Sequence, residues 1–185
     1  PRMSSPGDMR LFVAVYPPEA ARRQMIDALG KIEPPPDARH RVAPLEQVHL
    51  TLQFIGDTPE RDLEATLESV RRSAAGIDPF PLTPIRLITL PERGQPRLIA
   101  LETDSPPGLA ELHRRLVRRL ARSNHSGDRF RPHLTLCRFD GAAHPSPVNS
   151  PVALPPFGVA AIHLVRSILR PNGAEHLTLD AVSLG

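Results

Sequence analysis

The sequence has little that could cross-link it or hold a metal through sulfur. Its 185 residues contain one cysteine, Cys137, so an internal disulfide and a multi-cysteine zinc site are both excluded. A chain without disulfides suits a reducing compartment, and we expect a cytoplasmic protein. No apolar run is long enough to span a bilayer. Residues 1–8 lack the apolar stretch of a secretory signal and are predicted to form a flexible N-terminal extension.

Lysine is almost absent as well. Lys31 is the sole lysine among 23 basic side chains, and the formal net charge is +3. Arginine forms bidentate contacts with phosphate, so this bias fits an anionic or nucleic-acid partner. A GC-rich genome, which favours arginine, alanine and proline codons, accounts for the same bias without any function. The 23 prolines predict stiff loops between the regular elements.

One tetrapeptide, His-Leu-Thr-Leu, is present at residues 49–52 and again at residues 133–136. Successive side chains of a β-strand point to opposite faces, so the histidine and the threonine would share one face. The two leucines would then pack into a core on the other face. Two such strands brought face to face would form a cradle of two imidazoles and two hydroxyls for a small anion. This cradle is the predicted functional site.

The two copies of the tetrapeptide occupy matching places in the chain. Each follows a strand-like run, a helix and a loop, and the separations from Arg10 to His49 and from Arg97 to His133 are 39 and 36 residues. The pattern predicts an internal duplication within a single domain over residues 1–185, with motif strands near 48–55 and 132–139. Extra extended segments with prolines at their edges favour antiparallel sheets over the parallel sheet that strand–helix repeats usually indicate.

The remaining elements follow from apolar periodicity and from turn residues. Helices are predicted from residue 18 to 30, from 59 to 76 and from 105 to about 124–127. Thr58 is the predicted N-cap of the second helix, with Pro59 in its first turn. Further strands are predicted at 11–16, 80–90, 97–103, 160–169 and 176–184, with a turn at 171–173 between the last two.

A pair of histidines in one cleft can divide acid–base work between them. The ordinary histidine pKa of about 6.5 allows one imidazole to accept a proton while the other donates one. The threonine hydroxyls can donate to phosphate oxygens, so the site could hydrolyse a cyclic phosphodiester without a metal or another cofactor. Metal ligation by His49 and His133 is the weaker interpretation, because neither motif strand has an acidic residue on its histidine face.

Several other residues are assigned by position. Strict alternation places Cys137 on the histidine face, where it would pack or line the cleft edge, and turns Arg138 away from it. A third His-Leu-Thr-Leu, at residues 176–179, lacks a preceding strand–helix unit and is predicted to be structural. The isolated histidines are predicted to be surface or packing residues, namely His113, His125, His144 and His163.

Arginines fall into two groups by their surroundings. Those between residues 114 and 122 alternate with apolar residues, which is typical of the solvated face of a helix. Arginines in loops beside predicted strands are better candidates for contacts with an RNA backbone. These are Arg39, Arg41, Arg93, Arg129 and Arg131.

Residues 10–14, 49–56 and 132–138 together resemble the two-histidine (2H) phosphoesterases. More narrowly, they are similar to the bacterial and archaeal RNA 2′,3′-cyclic phosphodiesterases, also called 2′-5′ RNA ligases. The similarity covers nearly the whole chain. It implies an α+β fold that is bilobal, with pseudo-twofold duplicated antiparallel β-sheets, helices packed outside and a central cleft. Relatives often carry a tyrosine near the position of His176, so this chain departs from the family pattern there.

The resemblance also implies a function, which is hydrolysis of an RNA or nucleotide 2′,3′-cyclic phosphate to a 2′-phosphate. His49 would be the general acid and His133 the general base, and the substrate-binding residues would be Thr51, Thr135 and Arg138. The expected partners are RNA with 2′,3′-cyclic or 2′-5′ linked ends, or cyclic nucleotides, with no membrane and no obligate protein partner. Reversible 2′-5′ RNA ligation and a non-catalytic RNA-end-binding module are the alternatives. A monomer is expected, because the two halves complete one site within a chain.

Overall fold

The computed structural model describes residues 7–32, 40–121, 130–139, 146–171 and 173–185. The strands are β1 (Asp8–Val15), β2 (His40–Val42), β3 (Leu50–Pro59), β4 (Phe80–Leu82), β5 (Pro84–Leu90), β6 (Leu98–Thr103), β7 (His133–Phe139), β8 (Asn149–Pro151), β9 (Phe157–Val159), β10 (Ala161–Arg170) and β11 (Gly173–Ser183). The helices are α1 (Glu19–Leu29), α2 (Leu63–Ala74) and α3 (Pro107–Leu120), and short 3₁₀ turns cover Leu45–Gln47 and Glu60–Asp62. Within these residues the elements form the predicted α+β fold.

Nine of these strands form one antiparallel sheet with two matching halves. Its order is β11-β10-β1-β3-β7-β6-β5-β8, with β2 also paired to β7, while β4 and β9 form a small separate sheet. The halves meet where β3 pairs with β7 at Leu50 and Leu134. Both leucines hold the same place in the repeated tetrapeptide, so the pseudo-twofold axis passes between them. The predicted duplicated, bilobal architecture is therefore confirmed.

The helices and the apolar core lie against the face of the sheet that carries the motif leucines. The leucines Leu50, Leu52, Leu134 and Leu136 are all buried in the main core cluster. Helix α1 contacts β7, α3 contacts β3, and α2 packs on α3 and on β10 and β11. Each half thus supplies a helix to the motif strand of the other half, which ties the two lobes together. No helix in the ranges given above is long and apolar enough to cross a membrane.

Helix α3 forms because its leucines recur every three or four residues. Leu109, Leu112, Leu116 and Leu120 are buried on one side. On the other side Arg114 and Arg115 both bind Glu111, and Arg118 and Arg119 are exposed. The prediction of a solvated arginine face is confirmed. The predicted end of this helix falls in the segment 122–129, outside the described residues, and the described helix ends at Leu120.

The structure corrects two element assignments. Thr58 is not an N-cap: it is a buried residue of β3, its hydroxyl donates to the carbonyl of Gly56, and helix α2 begins at Leu63. Pairing of β1 with β3 continues as far as Asp8 and Pro59, so sheet formation overrides the local helix-start signal. The predicted strand 80–90 is two strands in different sheets, β4 beside β9 and β5 between β6 and β8.

Both motif strands contain a β-bulge at the same place. In each of them the register with the neighbouring strand skips the last leucine of the tetrapeptide, Leu52 in β3 and Leu136 in β7. A bulge adds one residue to one strand and interrupts the alternation of side chains. Residues directly beyond each bulge therefore face opposite to the direction that strict alternation predicts. In β3 a second register shift, at Ile55, restores the original direction before the buried Thr58.

This bulge corrects the placement of Cys137 and Arg138. Cys137 is 2% exposed and belongs to the core, so it does not share a face with the histidine. Arg138 is exposed and lies near enough to His49 and His176 for its charge to lower the pKa of both imidazoles. Phe54 occupies the position in β3 that Arg138 occupies in β7, and it is 73% exposed.

Candidate active site

The two motif histidines are held in the same way. The Nδ1–H of His49 donates to the carbonyl of Gln47 at 2.6 Å, and the Nδ1–H of His133 donates to the carbonyl of Arg131 at 2.8 Å. In both cases the acceptor lies two residues before the histidine. The contact fixes the ring and the tautomer, and it leaves Nε2 as the nitrogen that exchanges protons. At His49 the hydroxyl of Thr51 lies 3.1 Å from Nε2.

The pairing of β3 with β7 brings the two halves of the predicted cradle together. His49 and His133 each directly precede the paired leucines Leu50 and Leu134, and their side chains interact electrostatically. Thr51 and Thr135 follow on the same face and are partly exposed. The four residues predicted from the repeated motif therefore lie around one cleft, and Arg138 joins them because of the bulge.

His49 is neutral in the free protein at neutral pH. Burial is the main cause, and it lowers the pKa of His49 to about 4, although the bond to the Gln47 carbonyl opposes the shift. The positive charge of Arg138 lowers this pKa further, as does positive charge on His176 or His133 whenever either ring is protonated. His49 can act as an acid only when a nearby negative charge offsets these effects.

Each orienting carbonyl belongs to a residue that is itself anchored. Gln47 donates from Nε2 to the carbonyl of Ala174 on β11 at 2.9 Å. Arg131 pairs with Glu102 on β6 and with Glu92, and the distance to Glu92 is 2.7 Å. The guanidinium that the sequence suggests for RNA contact is thus already held by two carboxylates. The segment before each histidine is fixed to a neighbouring strand or loop.

The carboxylate of Glu102 is the centre of this anchor. Its side chain is 12% exposed and also binds Arg86 on β5 at 2.6 Å. Burial by itself would raise the pKa of Glu102, but the hydrogen bonds from Arg131 and Arg86 outweigh burial and lower it. Glu102 is therefore ionised at neutral pH and holds Arg131 through a charge-assisted contact.

Aromatic rings form a wall beside His49. The ring of Phe12 lies 5.1 Å from that of His49 and 6.2 Å from that of Phe54, and Tyr16 lies 5.5 Å from His49. Burial raises the pKa of Tyr16 to about 12, so its hydroxyl stays protonated. The sequence patterns do not indicate these aromatic residues as parts of the site. Phe12 and Phe54 become neighbours only because β1 pairs with β3, and no local spacing predicts that pairing.

The other sequence-predicted residues are distributed as follows. His176, which the sequence assigns a structural role, lies in the cleft with its ring 5.2 Å from that of His49. His163 packs against Tyr16, and His113 stacks on Phe130, as predicted for packing residues.

Arg41 is exposed on β2 opposite Arg138, and Arg93 is exposed in the loop after β5. Outside the described residues lie Arg39, Arg129, His125, His144 and residues 1–6 of the predicted extension.

Histidine supplies most of the titratable groups in the cleft. In the part of the chain that the structure describes, no group of three or more histidine, cysteine or acidic side chains is arranged to hold a metal ion. The cleft instead combines proton-transfer groups with hydroxyl and guanidinium donors, a set that suits a phosphate group.

The sequence profile of the 2′-5′ RNA ligase superfamily matches residues 16–168. This chain belongs to that superfamily. An RNA 2′,3′-cyclic phosphodiesterase of Thermus thermophilus is 34% identical over 187 residues, which cover 95% of this chain and 90% of the relative. The crystal structure of TT0787, also of Thermus thermophilus, superimposes with a TM-score of 0.77 at 30% identity and covers 95% of this chain and 98% of its own. The resemblance to the 2H phosphoesterases is confirmed.

A second solved structure adds a bound nucleotide to the superfamily. Escherichia coli LigT complexed with 3′-AMP has a TM-score of 0.76 at 27% identity, and the match covers 96% of this chain and 98% of LigT. The superfamily match includes both histidine motifs and Arg138 but stops before β11. His176 therefore lies beyond the residues that the superfamily profile matches.

Proposed function

We propose that this enzyme hydrolyses the 2′,3′-cyclic phosphate of RNA ends or nucleotides to a 2′-phosphate. The observation that carries the proposal is the matched pair of histidines, each fixed through Nδ1 and each beside a threonine on the cleft face. The Thermus thermophilus relative is an RNA 2′,3′-cyclic phosphodiesterase, which supports the substrate class. The nucleotide bound to LigT is consistent with the same cleft.

The reaction uses the two imidazoles in opposite protonation states. Nε2 of His133 accepts a proton from water, and the oxygen of that water attacks phosphorus in line with the 3′ oxygen. The bond from phosphorus to the 3′ oxygen breaks, and Nε2 of His49 donates a proton to this leaving oxygen. The phosphate remains on the 2′ oxygen. Thr51, Thr135 and Arg138 donate hydrogen bonds to the other phosphate oxygens as charge builds on them.

Phe54 gives the nucleoside a place to bind. Its ring is 73% exposed on the cleft face. Covering this apolar surface with a ligand would remove it from water, which is favourable. Stacking of a base on an exposed aromatic ring contributes roughly 1–3 kcal/mol and depends little on the base. Phe54→Ala is therefore expected to raise KM by about 5- to 150-fold with little change in kcat, since a phenyl ring takes no part in proton transfer.

The direct test is product analysis on a defined RNA that bears a 2′,3′-cyclic end. His49→Ala and His133→Ala should each lower turnover by about 10²–10⁴-fold, the usual contribution of a proton-transfer group. His113→Gln is the matched control, because His113 lies on α3 behind the sheet and donates to the carbonyl of Leu52. Full activity in either cleft variant would remove that histidine from the mechanism. Inhibition by EDTA would favour the metal interpretation.

The same experiment separates the alternative functions. A joined 2′-5′ product formed from two RNA ends would establish ligation at this site. Tight binding of the cyclic end without any product, at high enzyme concentration, would favour a non-catalytic end-binding module. Only a 2′-phosphate product that both histidine variants fail to form supports the proposed hydrolysis.

A further inference from the structure

We propose that His176 is a third histidine of the active site, which donates a hydrogen bond from Nε2 to a non-bridging oxygen of the substrate phosphate. The proposal deepens the proposed hydrolysis and rests on it for the identity of the substrate. It assigns a binding role to the one copy of the repeated tetrapeptide that lies outside the duplicated halves.

The location of His176 is set by the last strand of the sheet. On β11, His176 lies opposite Ser167 of β10. Its ring lies 5.2 Å from the ring of His49 at an interplanar angle of 78°, and 5.1 Å from the ring of Phe12 at 69°. A phosphate ester whose leaving oxygen accepts a proton from His49 is therefore within reach of His176.

Gln47 links the two segments that carry these histidines. The carbonyl of Gln47 accepts from Nδ1 of His49, and the amide of the same residue donates to the carbonyl of Ala174, two residues before His176. This link joins the first motif strand to the start of β11. The segment before His49 and the start of β11 are thus held together by direct hydrogen bonds.

The surroundings of the ring determine which nitrogen carries the proton. Nδ1 of His176 is buried and has no hydrogen-bond partner, so a proton on that nitrogen would be a buried donor without an acceptor. Nε2 of His176 is not among the buried unpartnered atoms of the described residues. The favoured form is a neutral imidazole with its proton on Nε2, free to donate to a ligand.

A neutral donor is what this position requires. In the free protein, burial and the charge of Arg138 lower the pKa of His176, which favours the uncharged ring near neutral pH. A charged imidazole here would lower the pKa of His49 further and oppose the protonation that the leaving oxygen needs. A neutral Nε2–H binds a phosphate oxygen without this penalty, while Arg138 supplies the positive charge.

Three substitutions separate a donor role from a packing role. The side-chain amide of glutamine places its NH₂ close to the position of Nε2, asparagine reaches only the position of Nδ1, and phenylalanine fills the space without a donor. We expect His176→Gln to keep kcat/KM within about threefold, and His176→Phe and His176→Asn to lower it by about 10- to 100-fold. Thermal unfolding of each variant verifies that the fold is intact.

The outcomes are distinct. A folded His176→Phe with wild-type kcat/KM overturns the proposal, and so does a folded His176→Gln that is as weak as His176→Phe. Titration of the wild-type protein with inorganic phosphate, followed by the imidazole ¹⁵N resonances, should show Nε2 protonated and shifted by the anion. If wild type hydrolyses no cyclic phosphate but this shift occurs, the proposed function fails and the contact stands. If Nε2 does not respond to phosphate, the contact itself is refuted.

Discussion

The proton that His49 is proposed to give to the leaving oxygen is almost absent from the free enzyme, and we expect bound phosphate to restore it. With a pKa of about 4, the imidazole is charged in about 0.1% of molecules at pH 7, a deficit of roughly 4 kcal/mol. A single negative charge about 4 Å away contributes roughly 4 kcal/mol at an effective dielectric constant of about 20. The two values match, so phosphate binding should raise the pKa of His49 by about three units.

The assay is a pH titration of the His49 imidazole by NMR, with and without saturating inorganic phosphate. Replacing Arg138 with Ala removes one of the positive charges that lower this pKa, so the value in the free variant should lie above that of wild type. A pKa that stays below about 5 with phosphate bound would refute the reasoning. His49 would then be unable to serve as the acid at neutral pH, and His133 would take that role.

Three further predictions concern the histidines and their supports. A substrate with a 4-nitrophenolate leaving group, which needs no proton, should largely restore the activity of His49→Ala but not of His133→Ala. Restored activity in His133→Ala instead would make His133 the acid and His49 the base. Glu102→Gln weakens the ion pair with Arg131, whose carbonyl orients His133, and should lower kcat about tenfold. The control Arg86→Ala leaves the contact between Glu102 and Arg131 in place and should lower kcat less. An equal loss of kcat in both variants would contradict the anchoring role of Glu102. Because His49 has a folded pKa near 4 and an unfolded value near 6.5, the unfolded chain binds more protons between these values, so stability falls as pH falls through this window. Chemical denaturation should show that His49→Gln removes about 3 kcal/mol of that loss, and an unchanged pH dependence would count against the neutral buried imidazole.

Local sequence patterns predict much of this fold, because they reflect which side chains must be buried. The spacing of leucines in α3 and the period of two in the motif strands both follow from a core on one side. The repeated order of strand, helix and motif predicts the duplication. The cradle of two histidines and two threonines could therefore be inferred before the sheet was known.

What the sequence did not predict depends on pairing between distant strands. The bulge at Leu136 appears in the register with β6. The sequence of the motif is equally compatible with a strand that has no bulge. Strict alternation therefore predicts the wrong face for both Cys137 and Arg138. Thr58 has a good helix-start context, but β1 extends the sheet past it. His176 reaches the cleft only because β11 pairs with β10 and is tied to Gln47, contacts that no local pattern indicates.

The two bulges have a consequence for the direction in which a substrate can bind. The positions beyond the two bulges are equivalent in the two halves of the sheet. In β3 this position is Phe54, with a phenyl ring, and in β7 it is Arg138, with a guanidinium group. A nucleotide turned end for end in the cleft would place its phosphate on the ring and its base on the charge, and it would lose both favourable contacts. The duplicated frame supplies two interchangeable proton carriers. The unlike pair beyond the bulges gives the cleft a polarity. In the proposed reaction, the same imidazole would therefore face the sugar oxygen, and the other would face water, with every substrate bound.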